Sequence, residues 1–405
     1  MDATSATNET AQRRAFTIAF LNFAHALDHF VILIFPTIVI GLEGIFARSY
    51  AELIALGTTT FVAFGVFSLP AGWLADRWSR RNMMAIFYLG CGLSLAAAGL
   101  STNLWTLAIA LFALGMFAAI YHPVGMPMLI ETAARRGRTF AFNGVCGNLG
   151  AALAAAISAA LTYYVGWRAA FFAPALVCIA TFVAFVMIVP DDRHRTGARG
   201  DAAEVQFNRP IAIALFALFI VLWIAGGLIF NTVSVALPKI VDERIGRDVS
   251  LLIVGGLTTG IFLCGALAQI TVGRLTERYH LHVLFIVIAC LELIGILLAA
   301  YASGLALLIA LAIAMAAIYG QVTVSDLMVA RYTADSWRGR AYAVRYFMTF
   351  ITSGLGVGAI AFFHARGGFD LVLMVISGIA AILLTTALTM TLLVAGRGRS
   401  AQPAE

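Results

Sequence analysis

Charged residues are scarce in this 405-residue chain, and that scarcity excludes most soluble folds. Asp, Glu, Lys and Arg together make up 11% of the sequence, whereas apolar residues make up 62%. Charged residues approach a quarter of a typical soluble domain. With a mean hydropathy of +0.96, this composition predicts an all-α, polytopic membrane protein whose helices contact the lipid bilayer.

Cysteine pairs and enzyme signatures are missing as well. The five cysteines lie singly in apolar stretches without a CxxC spacing, which indicates neither a disulfide framework nor a zinc knuckle. No HExxH motif, paired catalytic aspartates or Ser-His-Asp order is present on facing spans. The glycines within spans are not followed by the lysine that a nucleotide-binding loop requires. Close helix packing therefore explains them better. We therefore expect no enzyme activity, no cofactor and no resident metal.

Basic residues are nearly all arginine and give a net charge of +6. They do not predict nucleic-acid binding, because they lie in short loops between apolar spans. These loops alternate with loops that carry few basic residues, and the positive-inside rule then predicts that both termini are cytoplasmic. The expected location is a bacterial inner membrane.

Apolar length divides the chain into twelve spans of about 20 residues or more. They cover approximately residues 15–40, 50–74, 83–101, 104–129, 139–165, 168–190, 210–238, 248–275, 281–301, 303–330, 341–363 and 369–395. A long polar stretch at 191–209 separates six spans from six. We predict an N-terminal six-helix bundle at 1–190, a cytoplasmic linker at 191–209 and a C-terminal six-helix bundle at 210–405.

The two halves repeat each other at an offset of 201 to 202 residues. Three segments align in this register: Gly72–Trp78 with Gly273–Tyr279, Arg136–Ala141 with Arg338–Ala343, and Phe35–Val39 with Leu237–Val241. Six spans per half place both halves in the same orientation, so the duplication is parallel and its axis lies along the membrane normal. Such a duplication predicts pseudo-symmetric bundles with a cavity between them.

The first span carries ionisable residues near its middle, in the segment NFAHALDHFVILIFP. At 100° per residue, Asn22, His25, Asp28 and His29 share one helix face. An ionisable side chain at that depth costs at least about 2.5 kcal/mol, so such residues line a cavity or face another helix. Histidine titrates near neutral pH, and the set is a candidate for taking up and releasing a proton.

The duplication shows that these residues are not required by the fold. Their counterparts at an offset of 202 are mostly uncharged or apolar: Gly227 for His25, Phe230 for Asp28, Asn231 for His29, and Val324 for His122 on the fourth span. We expect His25, Asp28, His29, His122 and Asn231 to line the proton-coupling or substrate cavity. The alternative for each is a buried residue that is only hydrogen-bonded.

The loop Gly72-x-Leu74-Ala75-Asp76-Arg77-x-x-Arg80-Arg81 resembles the signature loop of the major facilitator superfamily, and Gly273–Tyr279 is its second copy. Gly166-Trp167-Arg168 and the glycines of span 5 are similar to other features of that superfamily. Span 1 with His25, Asp28 and Pro36, together with Tyr121-His122-Pro123, resembles the fosmidomycin-resistance-like group of drug exporters. The first resemblance covers essentially the whole chain and implies two six-helix bundles and alternating access.

The resemblance also implies that this loop latches the halves in the outward-facing state, with Asp76 meeting the start of span 11. The predicted cytoplasmic gate consists of Gly72, Asp76, Arg77, Arg81, Gly273, Glu277, Arg278 and Arg345. The arginines alternatively only fix topology, and Arg345 alternatively binds an anionic substrate. Asp326, about one turn inside span 10, is a further candidate for the proton or substrate site.

These observations favour a monomeric secondary transporter that exports a drug-like or acidic compound and uses protons as the coupling ion. Three alternatives remain: an importer of an organic anion, a transition-metal transporter whose ligands are the histidines with Met126 and Met128, and a non-transporting membrane sensor. Glu292, alone in span 9, has no assigned role.

Overall fold

The structure is a computed structural model that describes residues 3–133, 136–190, 209–246, 249–333 and 335–395. These residues are helical apart from short connections, and no strand occurs among them. The predicted linker at 191–209 lies outside the described residues except for Arg209. Its boundaries, and those of the two predicted bundles, therefore stay a prediction.

The helices follow one another with short connections. Their order is α1 (Ala3–Phe46), α2 (Tyr50–Arg77), α3 (Arg80–Leu100), α4 (Leu104–Ala118), a π-helical turn (Tyr121–Gly125), α5 (Met126–Thr132), α6 (Arg136–Tyr164), α7 (Ala169–Ile188), α8 (Arg209–Arg244), α9 (Leu251–Leu275), α10 (Leu281–Tyr301), α11 (Gly304–Tyr332) and α12 (Asp335–Ala395).

Eleven helical stretches of the described chain are long and apolar enough to cross a bilayer. The last of them, Phe347–Val394, has 48 residues, a length of about 72 Å as continuous helix and more than twice an apolar core of about 30 Å. Gly367 and Gly368 depart from helical geometry within it, and Gly368 has a φ of +58°. This break divides the stretch into two spans, and the predicted twelve-span, all-α architecture is confirmed.

The chain divides into two compact units. The first unit contains α1 to α7 together with Ser250–Thr259, and the second contains α8, the rest of α9, and α10 to α12. Large apolar side chains remain exposed on the spans, for example Trp105 and Leu100. This pattern is expected for helices whose outer faces contact lipid.

Polar caps set where two helices of the first unit begin. Ser49 precedes α2, and its hydroxyl accepts a hydrogen bond from the backbone N–H of Glu52. The backbone N–H of Ser49 in turn donates to the Glu52 carboxylate. Asn103 caps α4 in the same way, through the backbone N–H groups of Trp105 and Thr106. These bonds satisfy helix N–H groups that have no partner inside the helix.

Glycine allows the closest helix contacts in the first unit. A Cβ on Gly150 of α6 would lie 2.0 Å from the carbonyl oxygen of Ala26 on α1, and one on Gly115 of α4 would lie 1.9 Å from that of Thr60 on α2. Neither position accepts a side chain without helix movement, so glycine fixes the separation of each helix pair. The contact between Gly150 and Ala26 positions the polar face of α1 against α6.

The second unit pairs α8 with α12 in a similar way. A Cβ on Gly227 of α8 would lie 2.2 Å from the hydroxyl of Thr352 on α12. At the other end of α8, Arg244 forms an ion pair with Asp370 and donates hydrogen bonds to the carbonyls of Ala299 and Ala300. Arg244 therefore connects α8 to the end of α10 and to the last span.

Candidate functional site

The polar residues of α1 lie at its midpoint and face the interior of the first unit. Asp28 is fully buried, and Asn22 and His25 are each 7% exposed. His29, one turn beyond His25, is partly exposed. The structure therefore brings Asn22, His25, Asp28 and His29 together on a sheltered face, as the helical spacing predicts.

Pro123 explains the local geometry that presents His122 to this face. Proline has no N–H, so the carbonyl of Ala119 lacks its usual helical donor at this point. The chain instead forms a π-helical turn over Tyr121–Gly125 between α4 and α5. Such wide turns are frequent at functional sites. His122 lies on this turn, and its side chain is 21% exposed.

Three imidazole rings converge in the first unit. The ring centroid of His25 lies 5.0 Å from that of His29 and 5.4 Å from that of His122. The centroids of His29 and His122 are 5.8 Å apart. One ring nitrogen of each residue lies within 4.8 Å of the others. We call His25, His29 and His122 the histidine cluster. Its members come from α1 and the π-helical turn, so the cluster exists only in the folded protein.

Asn143 on α6 connects the histidine cluster to the rest of the unit. Its backbone carbonyl lies 2.8 Å from His25 Nδ1, which places the proton of that ring on Nδ1. Its fully buried side chain donates to Asn22 Oδ1 over 3.0 Å and accepts from the Tyr121 hydroxyl over 3.1 Å. His25 also stacks on Tyr121, with ring centroids 4.9 Å apart.

The sequence reasoning missed Asn143. Its only signal is a carboxamide inside an apolar span, four residues before Gly147. In the structure, a Cβ on Gly147 would lie 2.6 Å from His25 Nε2. Span 5 therefore supplies both the hydrogen-bond acceptor for His25 and the space that its ring needs, and a glycine-rich segment conceals this role.

Asp28 has an unusual environment for a carboxylate. Its Oδ2 lies 3.3 Å from His122 Nε2, beyond the usual distance of a strong hydrogen bond. No hydrogen-bond partner for its Oδ1 occurs in the part of the chain that the structure describes. A fully buried carboxyl group with so few partners is costly as an anion. Asp28 and His122 therefore form a close pair of titratable side chains within the first unit.

The equivalent positions in the second unit carry no such cluster. Asn231, predicted to line the cavity, donates its amide to the carbonyl of Gly227 on its own helix over 2.8 Å. Phe230, at the position of Asp28, packs on Tyr319 with ring centroids 5.7 Å apart. Among the four positions equivalent to His25, Asp28, His29 and His122, only Asn231 has a polar side chain.

Asp326 and Arg345 form an ion pair between α11 and α12 within the second unit. Their side chains are 37% and 12% exposed, respectively. Both residues are therefore in one local ion pair, whichever further role they have.

The predicted gate loop of the first unit contains a chain of ion pairs. Arg80 binds Asp76 over 3.0 Å and also pairs with Glu131 beyond the π-helical turn. Arg77 lies 4.2 Å over the ring of Trp73. Arg81 donates to the carbonyls of Val186 and Val189, and so caps the C-terminal end of α7.

Gly72 connects this loop to the histidine cluster. A Cβ on Gly72 of α2 would lie 3.1 Å from the side chain of Pro123, in the turn that carries His122. The second copy of the loop differs, because a Cβ on Gly273 would meet no atom within 4 Å, and Glu277 and Arg278 are exposed.

Glu292 is fully buried in α10, and neither of its carboxylate oxygens has a hydrogen-bond partner among the described residues. Glu292 belongs to the second unit.

Several bacterial proteins are similar to this chain. The puromycin resistance protein pur8 of Streptomyces alboniger is 27% identical over 229 residues, 51% of this chain and 45% of that protein. The tetracenomycin C resistance and export protein of Streptomyces glaucescens is 29% identical over 40% of this chain and 30% of its own length. The membrane sensor protein UhpC of Salmonella typhimurium is 28% identical over 40% and 38%. Each match spans less than half of the relative.

Solved structures share the fold over nearly the whole chain. The D-xylose-proton symporter superposes with a TM-score of 0.75 at 14% identity, covering 93% of this chain and 97% of that one. A bacterial homolog to the human lysosomal transporter Spinster, in an inward-facing and occupied conformation, gives 0.71 at 13% identity, covering 96% and 97%. The family model of the Major Facilitator Superfamily matches residues 18–253 and 223–405. The resemblance drawn from the signature loop is confirmed, and this multi-pass membrane protein belongs to the major facilitator superfamily.

Proposed function

We propose that the chain is a proton-coupled secondary transporter that exports a drug-like or acidic small molecule by alternating access. The observation that carries this proposal is Asp28, a fully buried carboxyl group at the middle of α1, 3.3 Å from His122. A neutral, protonated Asp28 fits this surrounding, and an anion requires compensation from a charged imidazole. Transport, and not a chemical reaction, is the proposed activity.

Other titratable groups around Asp28 support a shared proton. His25 and His29 lie on its own helix, His122 and Tyr121 on the π-helical turn, all within one network of ring contacts. Protons bind such a group as a set, and the charge of each imidazole changes the proton affinity of the carboxyl group. A proton taken up from one side and released to the other drives export.

Relatives support the class of substrate. Two matched proteins are a puromycin resistance protein and a tetracenomycin C resistance and export protein, which favours export of a lipophilic compound. Probable hexose phosphate transport proteins of Chlamydia also match, at 28% identity over about a third of the chain, and histidines that become charged suit an acidic solute. Both classes belong in the first screen.

The test has two stages. A thermal-shift panel on the purified protein, with puromycin, tetracenomycin C and a hexose phosphate, identifies a ligand. Proteoliposomes then measure flux of that ligand with and without an imposed pH gradient. We expect flux that rises with the gradient and collapses with a protonophore. Binding without any flux would instead support the sensor, the activity named for UhpC.

A transition-metal cation is the second candidate cargo, and the histidine cluster favours it. Three ring nitrogens lie within 4.8 Å of one another. His25 bonds the carbonyl of Asn143, and His122 faces Asp28, which resembles the outer contacts that orient metal-binding imidazoles. If the cargo is a metal ion, His29→Ala should abolish uptake of Zn²⁺ or Co²⁺, whereas Asp28→Asn should leave part of that uptake. Proton-coupled export of an organic solute predicts the larger loss for Asp28→Asn.

We further propose that Gly72, Asp76, Arg77 and Arg81, with Gly273, Glu277, Arg278 and Arg345, form the cytoplasmic gate of a monomer in a bacterial inner membrane. The contact of Gly72 with Pro123 supports communication between the gate loop and the histidine cluster. Topology is tested with tags: one after Arg199 should be accessible only from the cytoplasm and one near Arg247 only from outside. Accessibility of both from one side rules out this orientation.

A further inference from the structure

An apolar groove lies between helices of the first unit. It lies between α1, α6 and α7 and has a volume of about 790 Å³. Large exposed side chains line its walls, among them Phe23, Phe142 and Leu149. Its floor is made by small residues of α1 such as Ala19 and Ala26. An apolar groove between helices that are apolar enough to span a bilayer fits a hydrocarbon chain.

A second cavity follows the groove at the start of α1. It has a volume of about 400 Å³ and is lined by Gln12, Arg13, Phe16, Arg81 and the C-terminal end of α7. Ala15 lines the groove and Phe16 lines the second cavity, so the two succeed each other along α1. The chemical character therefore changes from apolar to cationic within one helical turn.

The groove is long enough for an acyl chain of one leaflet. From Ala15 to Phe30, the α1 residues at its two ends, the helix rises about 22 Å, more than the depth of about 15 Å of half an apolar core. A single acyl chain spans that distance. The cationic cavity then lies at the level of the lipid phosphates, on the side that the arginine-rich loops assign to the cytoplasm.

Two arginines at that level select the headgroup. The Arg81 guanidinium is fixed by the carbonyls of Val186 and Val189, and Arg13 is exposed beside the same cavity. Fixed guanidinium groups bind phosphate oxygens strongly, and the cytoplasmic leaflet is the one that carries anionic lipids.

We propose that this groove binds one phospholipid of the cytoplasmic leaflet, with an acyl chain between α1, α6 and α7 and an anionic headgroup at Arg13 and Arg81. The site lies outside the histidine cluster and does not depend on which solute is transported. Asn22 lines the groove and bonds Asn143, so the lipid touches the same network that holds His25.

Native mass spectrometry of the detergent-purified protein tests the proposal, with phosphatidylglycerol and phosphatidylcholine as probes. We expect phosphatidylglycerol to be retained at least about fivefold better, which corresponds to about 1 kcal/mol. Arg13→Gln should remove this preference, whereas Arg14→Gln, a neighbour outside the cavity lining, should keep it. Glycerol phosphate, which has no acyl chain, should not displace the lipid.

The acyl-chain half of the site is tested by filling the groove. Ala19→Trp should reduce retention of both lipids, whereas Ala97→Trp, on an exposed face of α3, should not. Thermal unfolding of each variant verifies that it is folded. Equal retention of the two lipids by the unaltered protein, or unchanged retention in Arg13→Gln and Ala19→Trp, overturns the proposal.

Discussion

The same two places in the duplicated fold carry different chemistry in the two units. Asn143 and Val124 of the first unit correspond to Arg345 and Asp326 of the second at an offset of 202. The first unit uses a neutral amide that bonds Asn22 and Tyr121, whereas the second uses an ion pair. The two units share their helices and differ in their polar contacts at these positions.

The sizes of the packed side chains are exchanged as well. In the first unit the large ring of His25 on the first helix lies against Gly147 on the fifth span. In the second unit the first helix has Gly227, and its space is filled by Thr352 from the corresponding fifth span of that half. In each pair, the larger side chain occupies the space that the glycine on the facing helix leaves open. A large polar residue on one helix therefore requires a small residue on the facing one.

The largest expected effect concerns the carboxyl group that has no counterpart. Asp28→Asn should abolish transport driven by a pH gradient and leave counterflow largely intact, because exchange needs no net protonation cycle. The reciprocal change Phe230→Asp in the same protein should not restore transport, since the second unit has no histidine cluster. Gradient-driven and counterflow assays in one proteoliposome preparation give the answer. Normal pH-driven flux in Asp28→Asn would remove this residue from the mechanism and leave Asp326 as the next candidate.

Asp76→Asn tests whether the gate loop acts on conformation or only on stability. Asp76 is 65% exposed in its pair with Arg80, and such surface pairs contribute about 0 to 1 kcal/mol. Unfolding should hardly change. Transport should slow, because loss of one charge-assisted contact shifts the inward and outward balance by about 1 to 3 kcal/mol. Combination with Arg345→Ala should be less than additive if the two residues share the latch. Unchanged flux with unchanged accessibility contradicts the role.

Arg345→Ala sharpens the contrast between the ion pair and the amide network. Removal of the arginine leaves Asp326 without its guanidinium, and we expect a loss of about 1 to 3 kcal/mol in unfolding free energy. Asp326→Ala in addition should recover part of that loss. Asn143→Ala, the matched change in the first unit, breaks neutral hydrogen bonds and should cost about 1 kcal/mol for each. Thermal unfolding in detergent measures these variants, Asp326→Ala alone and the unaltered protein, and strict additivity of the two second-unit substitutions would contradict direct pairing.

Gly147→Ala should have the smallest effect on transport of these changes. Its Cβ would lie 2.6 Å from His25 Nε2, so the ring must move, at a cost of about 1 to 3 kcal/mol typical of overpacking. The counterpart Thr349→Ala in the second unit removes atoms and should leave transport unchanged. A shift in the pH dependence of flux for Gly147→Ala alone indicates that the His25 ring position sets proton affinity.

Much of the fold follows from the sequence because membrane spans obey a length rule. Twelve apolar segments and one repeat offset were sufficient to predict the helices, and the break at Gly367 and Gly368 divides the last pair at 363–369, as predicted. The bounds of α1 were less well predicted. The predicted span was 15–40, whereas the stretch of α1 that is apolar enough to cross a membrane is Gln12–Phe46. The difference arises because a helix does not end where its apolar run ends.

The candidate site was predicted only in part. Helical spacing places Asn22, His25, Asp28 and His29 on one face, and His122, also predicted for the cavity, lies beside them. Asn143 was missed because a buried amide has no periodic signature, and its contacts with His25 and Asn22 join segments 118 and 121 residues apart. The pairing of Glu131 with Arg80 likewise depends on tertiary contact.

The contact between Gly72 and Pro123 has a consequence for engineering the protein. Replacing a helical glycine with alanine commonly stabilises a helix by up to about 1 kcal/mol, and Gly72 in α2 is an obvious target. At this position the added methyl group would lie 3.1 Å from Pro123 and press on the turn that carries His122. Stabilising substitutions are better placed at Gly260 or Gly378, where a Cβ would meet nothing within 4 Å. Thermostable variants made at those sites should keep wild-type activity, whereas a variant at Gly72 should become more stable only at the expense of transport.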